Sequence, residues 1–134
     1  MENQPISLWS RFTTCLSSKY CCFSGRATRA EYWGYGLFCT LVIGIPVYIL
    51  AIALSGGDLE SPIFNILIFA LDCALLLPGL GVNVRRLHDT GRSGWMLLLG
   101  LIPLVGAIIL LVFACLDSER GTNKYGPSEK YPEN

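Results

Sequence analysis

Two stretches of this chain concentrate side chains able to bind or transform a polar ligand. Gly25-Arg26-Ala27-Thr28-Arg29-Ala30-Glu31-Tyr32-Trp33 and Arg85-Arg86-Leu87-His88-Asp89-Thr90-Gly91-Arg92-Ser93-Gly94-Trp95 bring Arg26, Arg29, Arg85, Arg86 and Arg92 together with His88, Glu31 and Asp89. A guanidinium fork suits bidentate contact with phosphate, and a helix N-terminus adds free N–H donors. The expected ligand is an anionic headgroup, held by Arg26, Arg29, Arg85, Arg86, Arg92 and His88. The blander alternative is that this charge only orients the chain, with Arg-Glu and Arg-Asp pairs locking the loops.

A second polar set is embedded in an apolar run. Asn65, Asp72, Gly79 and Asn83 share one helical face, with Arg86 close by. Asp72 lies about 15 Å along a helix beginning at Pro62. An ionisable residue at that depth is a functional hypothesis in itself. The stripe is expected to face protein, with partners from Thr40, Tyr48 or another protomer. A proton relay needs several such groups, and this run holds one carboxylate.

Catalysis finds little support. His88 and Asp89 are neighbours in sequence and cannot orient one another, and no nucleophile has a base at helical spacing. The six cysteines form no CxxC pair and there is one histidine, so neither a metal nor another cofactor is expected. Cys21-Cys22 reads as packing at an interface.

The elements that position these residues are written in the hydropathy. Hydrophobic residues make up 52% of the 134 and charged residues 15%, against about 25% charged in soluble domains. Three long runs carry almost no charge. A helix crosses ~30 Å of hydrocarbon in about 20 residues, and helices satisfy their own backbone groups where water is absent. The chain therefore reads as all-α, a single integral membrane domain over 1–134. An interfacial amphipathic helix at 5–23 precedes transmembrane spans at 32–54, 62–84 and 94–116. A polar, irregular tail follows at 117–134. Trp9, Phe12, Leu16, Tyr20 and Phe23 supply the apolar face of the first helix. The first thirty residues lack the short apolar core and small-residue cleavage site of a signal peptide, so the first run is expected to be retained.

The punctuation agrees. Thr28 and Glu31 form a capping-box pair, Ser61-Pro62 opens the second span, and Gly91 and Ser93 separate a helix stop from the next start. Pro78 should kink the second span. Lys and Arg mark the cytoplasmic side. Arg11, Lys19, Arg26 and Arg29 precede the first span, and Arg85, Arg86 and Arg92 follow the second. The intervening loop 55–61 has only Asp58 and Glu60. The N-terminus is thus expected inside and that loop outside. Two arrangements of the third segment compete. Three full spans leave Arg120, Lys124 and Lys130 outside. A turn at Pro103-Leu104-Val105-Gly106 would return them inside, but would expose unsatisfied backbone to lipid. The backbone cost favours three spans.

Phe23 to Trp33, Arg85 to Trp95 and Asn123-Lys124-Tyr125-Gly126-Pro127 resemble, in order, the motifs of the bacterial inner-membrane family of domain of unknown function 805. The likeness covers roughly residues 6 to 130. It implies a protein of the bacterial inner, or plasma, membrane, and no activity or catalytic residue; the multi-pass arrangement with a cytoplasmic N-terminus is the expectation from the apolar runs and their flanking charge. The expected function is a non-enzymatic membrane module binding anionic lipid or a protein partner through its arginine platform. The alternative is a small transporter or channel subunit using Asp72 in a homo-oligomer or with a membrane-protein partner. No nucleic-acid partner is expected.

Overall fold

The computed structural model describes residues 7–131. Helix α1 (Leu8–Leu16) starts where the Ser7 hydroxyl accepts from the Ser10 N–H at 3.1 Å. It is shorter than the expected 5–23, whose first two residues lie outside the described residues. The Ser17 hydroxyl donates back to the Thr13 carbonyl at 2.7 Å, and turns replace the helix through Cys21. Serine and threonine favour such local bonds over helix continuation. Phe12 and Cys15 are buried with Ala27, Tyr35 and Val82, so α1 packs onto the following helices. Tyr20 reaches the Ala74 carbonyl at 2.5 Å.

The first long helix runs from Arg29 to Leu54 as α2 (Arg29–Phe38), a π-helical turn (Cys39–Gly44) and α3 (Ile45–Leu54). Pro46 explains the interruption. It has no N–H, and its ring excludes the carbonyl four residues back. The helix takes in an extra residue there, so that the Ile45 N–H bonds the Thr40 carbonyl five residues back. Thr28 caps α2 at the Glu31 N–H, 3.3 Å away. The reciprocal half of the expected capping box is absent, because Glu31 turns its carboxylate to Arg85. The second long helix, α4 (Pro62–Asp89), has 28 residues and buries Pro78. At 1.5 Å per residue it is about 42 Å long.

The third segment departs from the expected continuous helix at 94–116. A 3-10 helix (Gly94–Leu101) is followed by a sharp turn and then α5 (Val105–Cys115). Leu104 has φ 62° and ψ −60°, and the Val105 N–H bonds the Pro103 carbonyl at 2.7 Å. This is a γ-turn in its strained form. Eight 3-10 residues rise about 16 Å at 2.0 Å each, and eleven α residues return about the same distance. The two arms match, so the segment ends at the level where it began. The backbone cost that favoured three spans is largely avoided. Pro103 has no N–H, and Ile102, Val105, Gly106 and Ile108 spend theirs within the hairpin. The arms touch at Gly106, where any Cβ would collide with the Leu99 carbonyl.

Apolar side chains face outward along most of this length. Phe69 is 70% exposed, Ile66 65% and Leu101 79%. The charged residues Arg85, Arg86, Asp89 and Glu31 are buried at the other end. That is the reverse of a water-soluble core.

Because Gly106 lets two backbones meet, Gly106→Ala should force the hairpin open. We expect a loss of about 1–3 kcal/mol, typical of overpacking, read as a lower unfolding temperature in detergent. A substitution of equal size at exposed Ala107 is the control and should leave the midpoint unchanged.

Candidate functional site

The polar end of the molecule is built where three chain segments meet: the entry to α2, the last turns of α4 and the tail after α5. Asp89 is fully buried at its centre. One carboxylate oxygen receives Arg26 Nε at 2.9 Å. The other receives Arg86 Nη1 and the Ser118 hydroxyl, both at 2.5 Å. Arg26 also donates to the carbonyls of Asp89, Glu119, Gly121 and Gly126. A single guanidinium thus ties the α2 entry to α4 and to the tail.

Arg86 closes a different gap. The last carbonyls of a helix lack intrahelical partners and carry its negative dipole end. At the end of α5, Arg86 donates to Ala114 and Leu116, and Arg29 donates to Cys115. Arg86 reaches the Ala27 carbonyl as well. The returning arm therefore ends on cations.

Arg85 faces the other way. It bonds Glu31, the Cys22 carbonyl at 3.2 Å and the Cys15 sulfur at 3.7 Å. Burial, with the Glu31 carboxylate beside it, pushes the Cys15 thiol up to about 11. It is a neutral hydrogen-bonding group at physiological pH.

His88 turns from its sequence neighbour. Its Nδ1 lies 3.0 Å from the Gly25 carbonyl, and its ring stacks on Tyr125 at 3.8 Å between centroids. His88 and Asp89 thus serve separate contacts. Among the described residues, no three His, Cys, Asp or Glu side chains gather as a metal cage.

The structure brings Arg26, Arg29, Arg85, Arg86 and His88 to one end, but three of the arginines point inward. The side chains of Arg26, Arg85 and Arg86 are 3%, 1% and 2% exposed. No buried side-chain nitrogen or oxygen among the described residues lacks a partner, so these forks have no face turned to a headgroup. Arg29 is open, 3.2 Å from Asp117. Arg92 lies over the Phe113 ring at 4.3 Å.

The polar stripe on α4 is split. Gly79 faces the Tyr35 hydroxyl, and Asn83 donates to the Gly79 carbonyl at 2.7 Å. Asn65 and Asp72 are exposed on the single chain, and Thr40, expected as a partner, bonds the Gly36 carbonyl instead. The reason for the exposure is the hairpin, which turns back after about 16 Å and covers only part of α4. Asn65 bonds the Glu60 carbonyl at 3.3 Å.

Sequence reasoning missed the tail. Among its described residues, 117–131, there is no helix, and its turns pack on the arginines, with Ser118 and Ser128 buried. Outside the core, Asp117 accepts from Lys130, from Tyr131 at 2.7 Å and from the Ser118 N–H at 2.9 Å. These bonds, led by Lys130, hold its carboxyl well below the usual range. The Asn123-Lys124-Tyr125-Gly126-Pro127 run was the available signal. Asn123 bonds the His88 carbonyl at 3.0 Å, and Gly126 accepts from Arg26.

Asp89→Asn should leave Arg26 and Arg86 without a buried counter-charge. The expected cost is about 3–5 kcal/mol, as for breaking a buried pair from one side. Limited proteolysis should then cut the tail after Leu116, which the parent chain protects.

Comparison with known proteins agrees with the motifs. A family model described as protein of unknown function (DUF805) matches residues 20–127. Inner membrane protein YhaI of Escherichia coli K12 is 39% identical over 115 residues, covering 86% of this chain and 92% of its own length. Inner membrane protein YhaH of the same strain is 40% identical, covering 83% and 89%. No solved structure matches the chain. The matched span contains the α2 entry, all of α4, the hairpin and the tail motif that together build the buried arginine cluster, and the chain belongs to the DUF805 family.

Proposed function

We propose that this chain is a non-enzymatic inner-membrane module with two spans, Arg29–Leu54 and Pro62–Asp89, and a re-entrant hairpin. Both termini are cytoplasmic. Its basic rim meets anionic lipid headgroups. The observation that carries this reading is the Arg26 guanidinium, bonded at once to Asp89 and to the tail carbonyls of Gly121 and Gly126. It supports a tail on the same side as the loop after α4. All ten Lys and Arg then lie at one end, as cytoplasmic bias favours. The outward apolar surfaces of both long helices support insertion.

The inward arginines serve as a lock in this reading. Headgroup contact passes to the exposed cation Arg29 and the half-buried Arg92 of the expected platform, with Arg120, Lys124 and Lys130 of the tail. Each basic group near an anionic surface contributes about 1 kcal/mol.

The test is topological. In a chain lacking native thiols, a cysteine at Gly57 should label from outside the cell, and one at Thr90 only after permeabilisation. A fluorescent reporter fused after Asn134 should fold and fluoresce in the cytoplasm. External labelling at Thr90, or a translocated reporter, would refute the arrangement.

One observation favours a second role for the same module. Asp72 is exposed beside Ile66 and Phe69 on the apolar flank of α4, and no described residue bonds its carboxyl. An ionisable group facing lipid at mid-depth costs about 2.5–3.5 kcal/mol, which a second copy can offset by hydrogen bonding. Asp72→Asn should preserve self-association in native mass spectrometry, and Asp72→Leu should weaken it. Unchanged association in both variants removes this role.

A further inference from the structure

A cavity of about 640 Å³ lies between α4, the 3-10 arm of the hairpin and the tail. Much of its wall is apolar: Leu80 and Val84 from α4, Leu97 and Leu98 from the arm. The arm approaches α4 closely because residue 94 is glycine. A Cβ there would lie 2.8 Å from a Val84 methyl. The mouth is polar. The Ser93 hydroxyl accepts from the Trp95 N–H at 3.4 Å, which leaves its own O–H to donate. No described residue bonds the Tyr125 hydroxyl. The Tyr125 ring is fixed by stacking on His88, and the Lys124 ammonium lies 5.0 Å from the same ring.

Size and lining fit a ligand site, which typically encloses about 300–1,000 Å³ with mostly apolar walls and a few convergent polar groups. The polarity runs in one direction, from leucine and valine to hydroxyls and an ammonium. An amphiphile with one chain in the cavity and an acceptor-rich head at the mouth matches it. No acidic residue lines the cavity. Glu119, the acid nearest the tail turn, receives the Asn123 amide at 2.7 Å. The ammonium of a zwitterionic head would find no carboxylate in the lining, whereas a phosphate would find Ser93 and Tyr125 there, with Lys124 beside the Tyr125 ring.

We infer that this cavity is a binding site for one acyl chain of an anionic glycerophospholipid, with its phosphate at Lys124, Ser93 and Tyr125. The inference rests on the placement of this end of the molecule at headgroup level, as proposed above. The tail turn at Asn123–Gly126 is then part of the site as well as part of the lock.

The test uses the full-length chain, purified in detergent with phosphatidylglycerol and phosphatidylcholine, and native mass spectrometry. The parent should retain phosphatidylglycerol in preference. Leu97→Trp fills the cavity and should cut that retention at least fivefold. Lys124→Glu removes the head contact and should narrow the preference for phosphatidylglycerol, the other cations of the rim retaining part of it. A second measurement does not depend on those variants folding. In a Trp9→Phe, Trp33→Phe chain, phosphatidylglycerol with brominated acyl chains should quench Trp95 more strongly than brominated phosphatidylcholine. Parent-like retention in Leu97→Trp, or equal quenching by both lipids, overturns the cavity assignment while leaving the basic-rim reading standing. A parent with no preference for phosphatidylglycerol overturns both.

Discussion

The carboxylate of Asp89 is the constraint on which the rest of the structure depends. It is fully buried and receives two guanidinium groups and a hydroxyl. A buried charge is tolerated only when its partners are in place, and these partners come from the α2 entry, from α4 itself and from the tail. Satisfying Asp89 therefore fixes where the chain must return after α5. The hairpin is the consequence. Had the third segment continued as one straight helix, Arg26 and Arg86 would have lost the carbonyls of Ala114, Leu116, Gly121 and Gly126.

The rest follows from matching lengths. The 3-10 arm and α5 rise by similar amounts, and a γ-turn at Pro103–Val105 reverses the chain with its donors spent internally. The short hairpin also explains Asp72. A full-length third helix could have covered the whole α4 stripe; a half-length one leaves the outer part bare. The same geometry creates the cavity, because Gly94 brings the arm against Val84 while Trp95 and Leu98 line the space beside it. Lock, exposed carboxyl and cavity share one cause.

Much of this was legible in the sequence. The long apolar runs gave the two long helices, Ser61-Pro62 gave the start of α4, and the order of three motifs gave the family. The hairpin was legible only as an alternative, since the distribution of Lys124 and Lys130 pointed one way and backbone satisfaction the other. The turn itself has local causes: a proline without an N–H beside Leu104, which takes a strained φ of 62°, and glycine at 106, where the backbones of the two arms meet. The direction of the arginines was not legible. A cluster of Arg, Glu and Asp reads equally well as a ligand cradle or a closed lock until the tail carbonyls are in place. Glu31 shows the same limit, its helix-capping spacing overridden by the buried Arg85.

The most direct test of the account is a distance measurement in a lipid bilayer by pulsed electron paramagnetic resonance, with spin labels on a chain freed of native cysteines. Labels at exposed Ser24 and Glu129 should give a separation well below the ~30 Å thickness of the hydrocarbon core. Labels at Gly57 and Glu129 should give one above it. A tail tied to Arg26 and Asp89 requires that order. The opposite order, with Glu129 near Gly57 and far from Ser24, would mean that the third segment crosses the membrane, and it would contradict the central claim.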